Sequence, residues 1–95
     1  MRENVKRGIE WLDSVEPDWR KSINRKALDF ADVFQCVLGQ VFGSYKEGCE
    51  KLCPGMNRKD AHLTFVRYGF TLEMKDHYVK KWRELGQEWV AQLDA

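Results

Sequence analysis

Two helix-start signals on either side of one glycine constrain this chain more than anything else in it. In the stretch DVFQCVLGQVFGSYKEGCEKLC, residues 32–53, Asp32 and Gln35 have the spacing of a capping box, and Ser44 and Glu47 repeat it as S-x-x-E. Between them lies Gly43, a residue that tolerates φ > 0 and closes a helix. Phe34, Val37, Leu38, Val41, Phe42 and Tyr45 follow the i, i+3, i+4, i+7, i+8, i+11 series of one broad apolar face, with Gly39 and Gln40 away from its centre. The second segment turns Tyr45, Cys49 and Leu52 inward and stops at Pro54-Gly55. The pattern predicts a sharp helix–corner–helix over 33–42 and 45–52.

The flanking sequence supplies helices for this pair to pack against. Residues 1–4 read as a frayed end, with Asn4 a cap for a first helix that aligns Val5, Ile9 and Leu12, with Trp11 and Val15 beside them. Pro17 ends that helix or opens a short second one over PDWRKSI, with Trp19 and Ile23 inward. Residues 24–31 read as a connector pinned by Leu28 and Phe30. Asn57 and Asp60 mark the start of a helix over 58–68 that brings Ala61, Phe65 and Tyr68 together, flanked by Leu63 and Val66. Gly69 ends it, and Phe70 suits the apolar contact that follows a glycine cap. Thr71 is placed to cap a last helix over 72–93. There Met74, Tyr78, Trp82, Leu85, Trp89 and Leu93 are spaced 4, 4, 3, 4, 4, close to a coiled-coil seam, along roughly 33 Å. The expected fold is all-α: a compact single-domain bundle of about five helices, residues 1–95, with a helix–corner–helix centre and a long C-terminal helix. No internal repeat and no convincing strand is visible.

Composition narrows the function classes. At 43% hydrophobic, with four Trp, five Phe and three Tyr, the 95 residues can fill one core without disulfides. Sixteen basic against fifteen acidic residues leave a formal charge of +1, low for a general polyanion binder. No apolar run approaches the ~18 residues of a membrane span. The polar opening MRENVKRG does not read as a signal peptide, so a cytoplasmic protein with reduced cysteines is expected, in the host cytoplasm if the gene is viral.

Four kinds of site compete. Cys36, Cys49, Cys53 and His62 carry the donor types of a zinc site, and Cys49 and Cys53 share a helix face. No C-x-x-C knuckle accompanies them, and buried cysteines more often act as small hydrophobes, so no metal or other cofactor is expected. A cysteine paired with His62 or His77 is the nearest approach to a catalytic dyad, but no spacing joins the members and no nucleophile turn is present. The expectation is a non-enzyme. A helix-turn-helix over 33–42 and 45–52 is the nucleic-acid reading, with Gly39 the close-approach position and the second helix the reading helix. That helix offers Lys46, Glu47, Glu50 and Lys51, half of them acids that repel phosphate. The densest basic cluster lies elsewhere, at Arg20, Lys21, Arg25 and Lys26. A protein-binding surface is the leading reading. Trp11, Trp19, Trp82 and Trp89 are more large apolar groups than a small core needs, and Trp and Arg are favoured at binding hot spots. Arg20, Lys21, Arg25, Lys26, Trp82 and Trp89 are therefore the candidate binding residues. The C-terminal seam also offers pairing with a second copy.

The stretches LDFADVFQCVLGQVFGSYKEG and YGFTLEMKDHYVKKWRE resemble a group of small uncharacterised proteins of actinobacteria and their phages. The resemblance runs from Val5 to Trp89. It is carried by C-V-L-G-Q at Cys36–Gln40, G-x-Y at Gly43–Tyr45, a late Y-G-F, and the Trp82-Arg83 pair, while residues 49–57 have no counterpart. It implies an origin but no catalytic residues. A phage origin implies a small protein that binds and redirects a host protein.

Overall fold

A buried tryptophan, Trp89, has helices from both ends of the chain closed around it. The structure, a computed structural model, describes residues 1–95. It is all-α, with helices α1 (Arg2–Val15), α2 (Val37–Phe42), α3 (Tyr45–Leu52), α4 (Arg58–Arg67) and α5 (Val79–Leu93), and 3-10 turns at Trp19–Ser22 and Met74–Asp76. No helix is long and apolar enough to cross a membrane. The core runs as one aromatic chain. Trp89 stacks on Phe70 at 5.6 Å and Phe30 at 6.0 Å and meets Trp19 edge-on at 6.1 Å. Phe70 continues to Phe65, and Phe65 to Tyr45 and Trp11. Such offset and edge-on pairs add to the burial of the rings themselves.

α1 buries Val5 and Leu12, as its spacing requires. Its N-terminus is not frayed, and Asn4 is not its cap. The helix begins at Arg2, and the Asn4 side-chain amide donates to the Val66 carbonyl at 3.1 Å. Arg7 Nε donates to the Arg67 carbonyl at 3.1 Å. These two side chains tie α1 to carbonyls at the end of α4, the Val66 carbonyl accepting from Gly69 N–H as well. The backbones can approach this closely because Gly8 and Gly69 lack side chains. A Cβ on Gly69 would lie 2.8 Å from the Val5 backbone, and one on Gly8 would run into the Tyr68 carbonyl oxygen. Gly69 also sits at φ +72° and closes α4 in a Schellman turn, Phe70 N–H to Phe65 carbonyl at 2.9 Å and Gly69 N–H to Val66 carbonyl at 3.2 Å. The expected Phe70 contact is the edge-on pair with Phe65, 5.7 Å between centroids.

The helix–corner–helix forms, with a different first half. Ser44 Oγ accepts from Glu47 N–H at 3.1 Å, and Gly43 takes φ +106°. Asn57 caps α4 in the same way, accepting from Asp60 N–H at 2.8 Å. Asp32 does not start a helix. Its carboxylate accepts from Phe34 N–H at 2.8 Å in an Asx-type turn. α2 begins at Val37, capped by the Cys36 thiol, whose sulfur accepts from Gly39 N–H at 3.3 Å. The 33–34 backbone folds back on Gly39, where a Cβ would lie 2.5 Å from the Phe34 carbonyl carbon. Tyr45 N–H donates to the Val33 carbonyl at 2.7 Å. Phe34 is thereby turned out to 62% exposure rather than into the apolar face. The glycine that lets the two helices approach is Gly48, not Gly39; a Cβ there would meet Leu38 Cβ at 2.9 Å.

The C-terminal helix is shorter than its spacing predicts, 79–93 rather than 72–93, about 22 Å. Gly69, Phe70, Thr71 and Leu72 are all buried in succession, which an irregular crossing of the interior satisfies and one face of a helix does not. The His77 ring then takes the Leu72 carbonyl at 2.7 Å. Met74 and Tyr78 are left 73% and 48% exposed, while Leu85 and Trp89 keep their seam positions inside.

Trp89→Phe removes the indole N–H that reaches the Gly69 carbonyl and leaves a void. It is expected to lower the unfolding free energy by about 3 kcal/mol, whereas Trp82→Phe, half-buried, costs under about 1 kcal/mol. Urea denaturation of both variants measures the difference.

Candidate functional site

An open groove of about 820 Å³ lies between the 25–31 connector and the outer face of α5. The α5 wall follows from a second apolar series beside the buried seam. Val79, Trp82, Gly86 and Val90 recur at three- and four-residue steps and share one face. The opposite wall is held in shape by side chains bonding to backbone. Gln40 brackets Asn24, accepting its N–H at 2.7 Å and donating to its carbonyl at 3.1 Å. Asn24 Oδ1 accepts from Lys26 N–H at 3.0 Å, and Asp29 Oδ1 from Ala31 N–H at 2.9 Å. Phe30 anchors the wall from beneath, 6% exposed and stacked on Trp89. An ion pair between Arg25 and Asp94, 2.8 Å, ties the wall to the end of α5.

The structure divides the six candidate binding residues into three fates. Arg25, Lys26 and Trp82 converge on the groove. Arg20 and Lys21 lie away from it and are paired, Arg20 with Asp13 and Lys21 with Asp18 at 3.6 Å. Arg20 also covers the Trp19 ring at 4.6 Å. Trp89 is not a surface residue: it is 0% exposed, with its indole N–H donating to the Gly69 carbonyl at 2.7 Å. Sequence reasoning assigned Trp82 and Trp89 to one seam and missed Val79, Gly86, Val90 and Arg83. The signal was present in the period-3.6 series on α5 but was masked by the stronger seam next to it.

The groove carries more cations than anions. Arg25, Lys26 and Arg83 face one carboxylate, Asp29, and no His, Cys or Ser lines it. Lys26 and Arg83 have no ion-pair partner within the chain. Trp82 makes no hydrogen bond through its indole N–H; its ring tilts against His77 at 4.7 Å. The proposed zinc donors stand apart. No three His, Cys, Asp or Glu side chains are grouped so as to hold a metal ion. Cys36 is a buried helix cap, and His62 packs against His77, 6.1 Å between centroids. Burial pushes the thiols of Cys36, Cys49 and Cys53 up, opposite to the shift that activates a thiolate.

Comparison with protein-family models, curated proteins and solved structures found no match to this chain.

Two predictions follow from these placements. Gly86 lies inside α5, where glycine costs about 1 kcal/mol relative to alanine, and a Cβ there would meet only Phe30 Cδ2 at 3.9 Å. Gly86→Ala is expected to stabilise the fold by about that amount, read as a raised thermal midpoint. Asp13 is held below the usual carboxylate range, chiefly by its hydrogen bond from Arg20 and next by that from Trp19, against opposing desolvation. A carboxyl lowered in the folded state stabilises above its unfolded pKa, near about 4, and loses that contribution as pH falls through the folded value. Wild type is therefore expected to exceed Asp13→Asn in stability at pH 7, by under about 1 kcal/mol for so exposed a pair, with the gap closing towards pH 3. Urea midpoints at the two pH values check it.

Proposed function

We propose that this chain is a small non-enzymatic binding protein that engages a protein partner, a host protein if the gene is phage-encoded as the sequence resemblance implies. The observation that carries this reading is the convergence of Arg25, Lys26 and Trp82 on one preformed groove. Cations around a half-buried tryptophan are the composition of a protein-binding hot spot. A helix-turn-helix is served less well: Lys46, Glu47, Glu50 and Lys51 are all exposed on α3, and the two acids among them leave phosphate no continuous cation stripe. Pairing of α5 with a second copy would have to use the groove face, since Leu85 and Trp89 are already inside the monomer.

The test is a tagged pull-down from an actinobacterial lysate, with and without nuclease and at raised salt. A defined protein that survives both treatments is expected. Recovery of nucleic acid, or of proteins that disappear on nuclease treatment, contradicts the reading, because phosphate contacts weaken steeply with salt and an apolar interface does not.

A further inference from the structure

Glycine 86 is the one glycine whose missing side chain the fold does not use. Gly43, Gly55 and Gly69 take positive φ, and Cβ atoms on Gly8, Gly39 and Gly48 would collide with neighbouring chain. Gly86 has ordinary helical geometry, sits inside α5 where glycine is unfavourable, and has nothing closer to its Cβ position than 3.9 Å. It forms part of the groove floor between Trp82 and Val90. Its missing side chain therefore keeps space open on the groove side, between two apolar residues and beneath two unpaired cations.

We infer that the groove seats an acidic amphipathic segment of a partner protein, with an apolar side chain over Gly86 and carboxylates against Lys26 and Arg83. The inference rests on the protein-binding reading above and assigns its site and the chemistry of the partner. Charge selects the occupant. With Arg25 neutralised by Asp94, the unpaired Lys26 and Arg83 against Asp29 still leave the walls net positive, so a second copy would bring two like-charged grooves together, which opposes pairing. Length favours a peptide over a compact small acid. From Val79 to Ala91 the α5 wall runs for about 18 Å, the length of a peptide of several turns. Apolar anchors at helical or alternating spacing are how such troughs are read.

The experiment uses the full chain and three fluorescein-labelled model peptides: an acidic Glu/Leu amphipathic peptide, its Lys/Leu counterpart, and an acidic Glu/Ser peptide without apolar residues. Binding is followed by anisotropy and by amide chemical shifts. The Glu/Leu peptide is expected to bind, to shift the Gly86 amide, and to weaken roughly tenfold with Gly86→Leu and with Arg83→Glu. The Gly86→Ala variant, with a smaller side chain, controls for folding. Equal binding of the Lys/Leu peptide, binding indifferent to Gly86→Leu, or no binding of the Glu/Leu peptide overturns the inference. So does concentration-dependent dimerisation that Gly86→Leu abolishes, since the occupant is then a second copy. In the pull-down, a partner retained equally by wild type and Gly86→Leu sinks the groove assignment alone, whereas no nuclease-resistant partner for the wild type sinks the protein-binding reading itself.

Discussion

The hydrogen bond from the Trp89 indole N–H to the Gly69 carbonyl, 2.7 Å long and wholly buried, is the contact on which the rest of this molecule depends. A tryptophan with no solvent exposure must place its one polar group on a partner, or the donor is left unsatisfied at a cost of about 1–3 kcal/mol. The partner here is the carbonyl of the residue that closes α4. Gly69 in turn packs against the α1 backbone at Val5 and Asn4. One bond thus fixes α5 to the end of α4 at the point where α1 already crosses it. The sequence separation of twenty residues between donor and acceptor is bridged by the buried run through Phe70, Thr71 and Leu72.

The same indole sets both walls of the groove. Its own helix forms one wall. Phe30, stacked on the ring, anchors the other, and the Arg25–Asp94 ion pair closes the two walls at one end. A groove whose sides are both tied to a buried ring is formed before a partner arrives, so less ordering is required on binding. This separates two tryptophans that the sequence presents as equivalent. Trp89 makes the scaffold rigid, and Trp82, about two turns earlier on the same helix, remains partly available.

Where a local signal was sufficient, the sequence was legible. Ser44 with Glu47, Asn57 with Asp60, and Gly69 with Phe70 each act within a few residues, and each forms as its spacing predicts. The misreadings share one cause: a residue with good local credentials was claimed by a distant contact or by a different local turn. Asn4 serves α4 instead of its own helix, Asp32 bonds two residues on rather than three, and Leu72 is drawn inside where a helix was expected to continue. The site was legible in part. Arg25, Lys26 and Trp82 stood out by residue type, but their convergence depends on how the connector lies across α5, which no local pattern encodes. Gly86 fell within the α5 periodic series, but the space its missing side chain leaves open shows only in the folded structure.

Exchange of the four tryptophan indole protons with deuterium tests the central claim most directly. If Trp89 anchors the fold, its Nε1 proton exchanges only through global unfolding and is the slowest of the four. The Trp19 proton, bonded to Asp13 at 2.8 Å at a part-buried site, follows, and the Trp82 proton exchanges early. A Trp89 proton that exchanges as fast as that of Trp82 would contradict the account, because the bond said to hold α1, α4 and α5 together would then open without unfolding them.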